Sequence, residues 1–441
     1  MSSLSKSISS TSNRKTFTLS VWLKLTKFDT TRHIMGVGTA SSDSGQFKIG
    51  FNSSNEFFVS TGATTYRKLN STFEDSSGWY HFVVAFNSAE TLAANRLKIY
   101  VNGVLRTDYA TSNNVSQDQN TAVNESGKTQ YIGLDGGANN SFKGYMAHLH
   151  FIDGTQYAAS NFGQTDSTTQ SWIPISSPSV TYGTNGYFFK FEDASNMGLD
   201  SSGQGNNYSV SLTGSNNDNG KTQDTPSNNF CVLNNFAKNN NLSYFAEGGL
   251  QIEETSSNQW RSILGTHAVS KGKWYYEVKL GATGDSPYFT FGWCRADVSY
   301  NSYIATNNQH PFRASGGYGY NRDGQKINNN SSSSYGSAFA SHSFVGVKMD
   351  LDNGTIGFTY NGADQGNAYT GITVDATKMF WVPAIAIAQA DNGTDAQCYF
   401  NFGNPFKDAG SNADAAGYGQ FEYAVPSGYY ALCTKNIETY G

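Results

Sequence analysis

The chain has 441 residues, enough for two domains that each bury a core, and 29 basic against 34 acidic side chains leave a net charge of −5. That balance, without any run of Lys and Arg, excludes a nucleic-acid footprint, and no apolar run approaches the roughly 18 residues of a membrane helix, so neither nucleic acid nor membrane insertion is expected. The 46 Gly, 29 Phe and 27 Tyr indicate an all-β chain, since aromatic residues fill strands while Gly, Asn, Asp and Ser supply turns.

The first residues, MSSLSKSISS, hold no signal-peptide core. They read as a sparse Ser-rich segment that orders only on docking. Phe17–Leu25 follows as a half-buried strand, with Phe17, Leu19, Val21, Leu23 and Leu25 on one face and Thr18, Ser20, Trp22 and Lys24 on the other. Further runs at Phe47–Phe51, Glu56–Ser60, Trp79–Phe86, Leu97–Val101 and Tyr145–Ile152, with turn formers at the breaks, indicate a β-sandwich. Tyr187–Glu192 is expected to pair beside the early strands and close a sheet. Residues 211–227 lack periodicity and are crowded with turn formers, which makes them the natural linker.

In the second half Lys273–Leu280 alternates, and Tyr288–Trp293, Phe380–Ala388 and Gln397–Phe402 read as further strands. Phe344–Gly366 reads as a β-meander: Val345, Val347, Met349, Ile356 and Phe358 are core positions, and Asn353-Gly354 and Asn361-Gly362 are two-residue turns. No helix is expected. Four dispersed cysteines, Cys231, Cys294, Cys398 and Cys433, read as buried thiols, with a Cys294–Cys398 bridge left open.

Two resemblances sharpen this. W-x-L-K near the start, GWYHFVVAFNSAETLAANRLKIYVNGVLR and YIGLDGGANNSFKGYMAHLHFIDG resemble the laminin-G or concanavalin A-like jelly roll. HAVSKGKWYYEVKL, FTFGWC, GYGYNRDGQK, FVGVKMDLDNGTIGFTYNG, FWVPAIAI and CYFNFGNPF, in that order, resemble a SPRY domain. The expected plan is therefore two tandem antiparallel β-sandwich domains: 1–212 concanavalin A-like, 213–227 linker, and 228–441 SPRY-like with a C-terminal extension. The whole arrangement, ending in PSGYYALCTKNI, resembles structural proteins of tailed phages, particularly marine ones.

What the resemblance implies is a non-enzymatic protein on the virion surface, a tail fibre, appendage or capsid decoration. Its partners would be other virion proteins, host-surface glycan or protein, and further copies of itself on the particle. A glycan-degrading enzyme on the same sandwich and a cellular SPRY-type peptide-binding module are the alternatives. Enzyme chemistry on this fold needs carboxylates about 5 Å apart, and the one pair at strand spacing, Asp350 and Asp352, flanks a turn. His148 and His150 share a strand face and are read as surface or sheet-packing histidines rather than metal ligands. No cofactor is expected beyond calcium, for which Asp193 and Asp200 supply hard oxygens, with a solvated turn as the preferred reading. Recognition is placed in Asp297–Gly336, where Tyr, Ser, Gly and Asn concentrate, with Tyr300, Tyr303, His310 and Arg313 as contact residues.

Overall fold

The computed structural model describes residues 2–38, 45–212, 220–242, 244–255, 259–281, 288–389, 395–405 and 410–441. They form two compact units, Met1–Lys221 and Thr222–Gly441, and both are all-β, each built on two large, mainly antiparallel sheets. Of the expected linker, residues 213–219 lie outside the described residues. Residues 222–227 are built into the second unit, where the Asp224 carboxylate accepts from Phe230 N at 3.2 Å.

In the first unit an eight-stranded and a six-stranded sheet share one apolar core. Thr16–Leu25 lies between Tyr80–Asn87 and Gly144–Asp153, and its apolar face is buried as the alternation predicts. Its other face departs from expectation: Thr18, Ser20, Trp22 and Lys24 are buried as well. The chain from Thr155 to Tyr182 covers Thr18 and Ser20 with a second, smaller core of Val83, Ile152, Ala159 and Phe162 against Trp172 and Tyr182, while Lys24 lies over the Tyr145 ring.

The Ser-rich start is a strand, not a disordered tail. Ser2–Ser7 lies between Thr129–Ile132 and Ser209–Leu212, with Leu4 and Ile8 turned into the apolar interior. Tyr187–Phe189 joins the other sheet at its edge, pairing with Gly144–Asp153 rather than with an early strand, and Lys190–Glu192 is not part of it.

The second unit packs a seven-stranded sheet against an eight-stranded one. The meander strands Phe344–Asp350, Thr355–Tyr360 and Ala363–Tyr369 are neighbours, and Val345, Val347, Met349, Ile356 and Phe358 are completely buried. Asn361 (φ 46°) and Gly362 (φ 79°) form the two-residue turn expected of Asn-Gly. Asn353-Gly354 does not. Only Gly354 has positive φ, 62°, because the Asp350 carboxylate accepts from Asp352 N at 3.1 Å and Asn353 N at 3.0 Å and draws the connection out to four residues.

The C-terminal extension lies against the outer face of Lys273–Leu280. Buried Glu277 accepts from Glu422 N at 2.9 Å and Tyr423 N at 3.1 Å, and Tyr275 packs on Phe421 with ring centroids 5.3 Å apart. It ends in a helix, Thr434–Tyr440, too short for its periodicity to show in sequence. All four cysteines are buried free thiols. Cys294 and Cys398 lie in different sheets, and Cys294 points away from the intersheet core, toward Phe312, so no bridge joins them.

Candidate recognition surface

Asp297–Gly336 divides in two. Its second half is strand: Gly317–Asn321, Gln325–Asn328 and Ser331–Ser334 close one side of the seven-stranded sheet. Buried Tyr320 and half-buried Tyr318, whose ring lies 5.8 Å from Trp381, belong to that scaffold. The first half, 296–316, crosses the outer face of the same sheet and carries all four contact candidates.

Local chemistry fixes this crossing. Ser299 starts a wide π-type turn, Tyr300–Ile304, accepting from Ser302 N at 3.3 Å, and Ile304 is buried beneath it. Pro311–Arg313 then forms a 3-10 turn. Phe312 drops into a cluster with Cys294, Val382, Ala384 and Ala386. The alanines of VPAIAIA alternate with core residues, and their small size makes the room that Phe312 occupies. Gly319 is needed for the same reason, since a Cβ there would lie 2.8 Å from Phe312 and 2.6 Å from Thr290.

Tyr300 is 38% exposed, and its hydroxyl donates to Lys238 O at 3.0 Å. Tyr303 is half-buried beside it. Half-buried Arg313 donates to Asn308 O at 2.9 Å. His310 is different. It is 2% exposed between Trp260 and Phe312, at 4.9 and 5.8 Å, and burial, with the Arg313 charge nearby, pushes its pKa down to about 3. It supports the turn from below and presents no contact surface. Two exposed aromatics escaped the sequence reading: Phe236, 51% exposed on the strand that bears Lys238, and Phe380, 48% exposed, whose carbonyl accepts from Ala296 N at 2.8 Å. Phe380 lies outside any Tyr/Ser/Asn-rich stretch, so composition gave no signal there, whereas Phe236 sits in the Asn-rich run 234–241, which carried the same signal and was not singled out.

The other candidate sites resolve into structure. Asp200 accepts from Phe188 N, Ser202 N, Ser202 Oγ and Asn206 N at 2.8–2.9 Å. Both its oxygens face hydrogen-bond donors, which is the wrong lining for a cation. Asp193 caps its own turn through Ser195 N and Oγ at 2.8 and 2.6 Å. Among the described residues no group of three or more His, Cys, Asp or Glu is placed to hold a metal. His148 sits in a bulge at φ 45°, and with His150 it stacks on Phe188, at 6.2 and 3.9 Å. Asp350 accepts from Asn353 and Lys273 side chains, both at 2.9 Å, and Asp352 from Gly272 N at 3.0 Å, so this carboxylate pair is turn structure.

Comparison with known proteins agrees with the two folds. The concanavalin A-like lectin/glucanases superfamily matches residues 3–160 and the SPRY domain matches residues 273–404. The chain thus carries a concanavalin A-like domain followed by a SPRY domain. It is 28% identical over 163 residues to the ATP-dependent RNA helicase DDX1 of Xenopus laevis, covering 36% of this chain and 20% of the helicase. It is 26% identical over 206 residues to Ddx1 of Drosophila melanogaster, covering 45% of this chain and 24% of that protein. The chain therefore spans about a fifth to a quarter of these relatives, and the shared region is the SPRY domain, not the helicase. Among solved structures, the SPRY domain of human HERC1 aligns at 16% identity and TM-score 0.28, over 41% of this chain and 96% of that one.

Proposed function

We propose that this chain is a non-enzymatic binding protein whose SPRY domain recognises a partner through the 296–316 crossing. The observation that carries this is the exposure of Tyr300 on a turn held rigid at both ends, by Lys238 O above and by buried Phe312 below. A rigid amphipathic ring on a fixed platform gives contact area at small entropic cost. Tyr303, Arg313, Phe236 and Phe380 extend the surface. The partner is a short protein segment or a glycan, and an array of each, probed with the full chain, tests the proposal. Saturable binding to one class supports it; binding to neither sinks it.

The placement we propose is the virion surface, as an appendage or capsid decoration present in several copies and bound to other virion proteins. It rests on the resemblance of the tandem arrangement to tailed-phage structural proteins. The helicase relatives are cellular proteins and lend it no support, and they favour a second reading, a SPRY module that binds a cellular peptide. Mass spectrometry of purified particles separates the two, since only the first places the chain there.

A further inference from the structure

The first strand breaks its own pattern. In SSLSKSIS, Leu4, Lys6 and Ile8 alternate, and Leu4 (5% exposed) and Ile8 (4%) face the interior, so Lys6 occupies an inward position where an apolar residue would serve stability better. Its neighbours across and along the sheet are polar too: Gln130 lies opposite, donating to the Tyr187 hydroxyl at 2.8 Å. Lys6 Nζ lies 2.5 Å from Asn206 Oδ1, 200 residues along the chain.

Asn206 is held tightly. Only 8% exposed, it donates through Nδ2 to Thr184 O at 2.9 Å and Gly186 O at 2.8 Å, and through its backbone N–H to Asp200 at 2.8 Å. The carboxamide cannot turn, and its carbonyl edge faces the lysine. We propose that Lys6 and Asn206 join in an isopeptide bond that ties the first strand of the concanavalin A-like unit to the segment leading into its last.

The chemistry balances without a redox partner. The free amine adds through its lone pair to Asn206 Cγ, the Cγ–Nδ2 bond breaks, and a proton from the lysine nitrogen leaves on Nδ2, so that one ammonia departs for one amide formed. Thr184 O and Gly186 O, which already hold the Nδ2 hydrogens, receive the ammonia. Burial lowers the Lys6 pKa and favours the free amine, while the Asp200 charge opposes it. Tyr187 and Tyr208, both buried near Asp200, are held neutral by burial. Closing so long a loop restricts the unfolded chain strongly.

Peptide mapping of the denatured, purified full chain tests this. The expected result is one branched peptide joining Lys6 to Asn206, lighter by one ammonia than its parts, and its absence from a Lys6→Arg variant of unchanged circular dichroism. Recovery of Lys6 and Asn206 in separate, unmodified peptides would overturn the proposal. So would ammonia loss that persists in Lys6→Arg, which would mark a succinimide at Asn206-Asn207.

Discussion

Trp172 donates its indole N–H to His81 Nδ1 at 2.9 Å, so His81 carries its proton on Nε2 and donates it to Ser20 Oγ at 2.8 Å. A neutral ring on a strand of the six-stranded sheet is thus pinned beneath the layer that covers it. Burial pushes the His81 pKa down to about 3 and that of His150 well below the ordinary value, with His148 adding to both shifts. The unfolded chain takes up protons near pH 6.5 that the folded chain refuses, so stability is full above pH 6.5 and falls as pH drops toward the folded values. Thermal melts should show a loss on the order of 2 kcal/mol from His81 by pH 5, with His150 adding to the loss in the same direction. Melts that are flat from pH 7 to 5 would contradict this.

Removing the support beneath the recognition turn should act at a distance. Phe312→Ala leaves a cavity between the crossing and Ala384 and Ala386, with an expected cost of about 3 kcal/mol in chemical denaturation. Gly319→Val should destabilise for the opposite reason, by forcing Phe312 out. Partner binding should weaken in both, although neither residue is exposed.

Glu277 fastens the C-terminal extension. Burial pushes its pKa up to about 7, against the pull of the Glu422 and Tyr423 N–H groups. Glu277→Ala leaves those two donors facing an apolar gap, at about 1–3 kcal/mol each. Limited proteolysis should then cut within residues 410–441 well before the rest of the unit, whereas the parent chain should resist at that segment.

Calcium should be without effect. Because N–H and O–H donors already occupy the Asp200 oxygens, melting temperatures in excess calcium and in chelator should coincide. Asp200→Asn replaces an acceptor with a donor and should cost about 1–3 kcal/mol with or without calcium. A calcium-dependent rise in melting temperature would overturn this reading.

The strands legible in sequence are those whose two faces differ. Val345 to Met349 alternate with smaller or polar residues and land in the core as read. Ser2–Ser7 hid because its single Leu and inward Lys6 dilute the alternation. The layer over Thr18 and Ser20 hid because its cover, Thr155–Tyr182, holds only three-residue elements, too short for a period to show. Composition singled out Asp297–Gly336, part of which we propose for recognition, but Tyr, Ser and Asn are as frequent in its strands Gly317–Asn321, Gln325–Asn328 and Ser331–Ser334 as in the crossing. It could not tell Tyr300 from His310: consecutive π-type and 3-10 turns have no fixed repeat, so which side chain points out depends on where Ile304 and Phe312 anchor.

The central claim is that binding runs through Tyr300 and Tyr303. The most direct measurement is the affinity of the full chain for its best array hit, compared with a Tyr300→Ala, Tyr303→Ala double variant of matched circular dichroism. Loss of exposed Tyr300 together with half-buried Tyr303 should weaken binding at least roughly tenfold. Equal affinity in the two proteins would place the partner elsewhere and contradict the account.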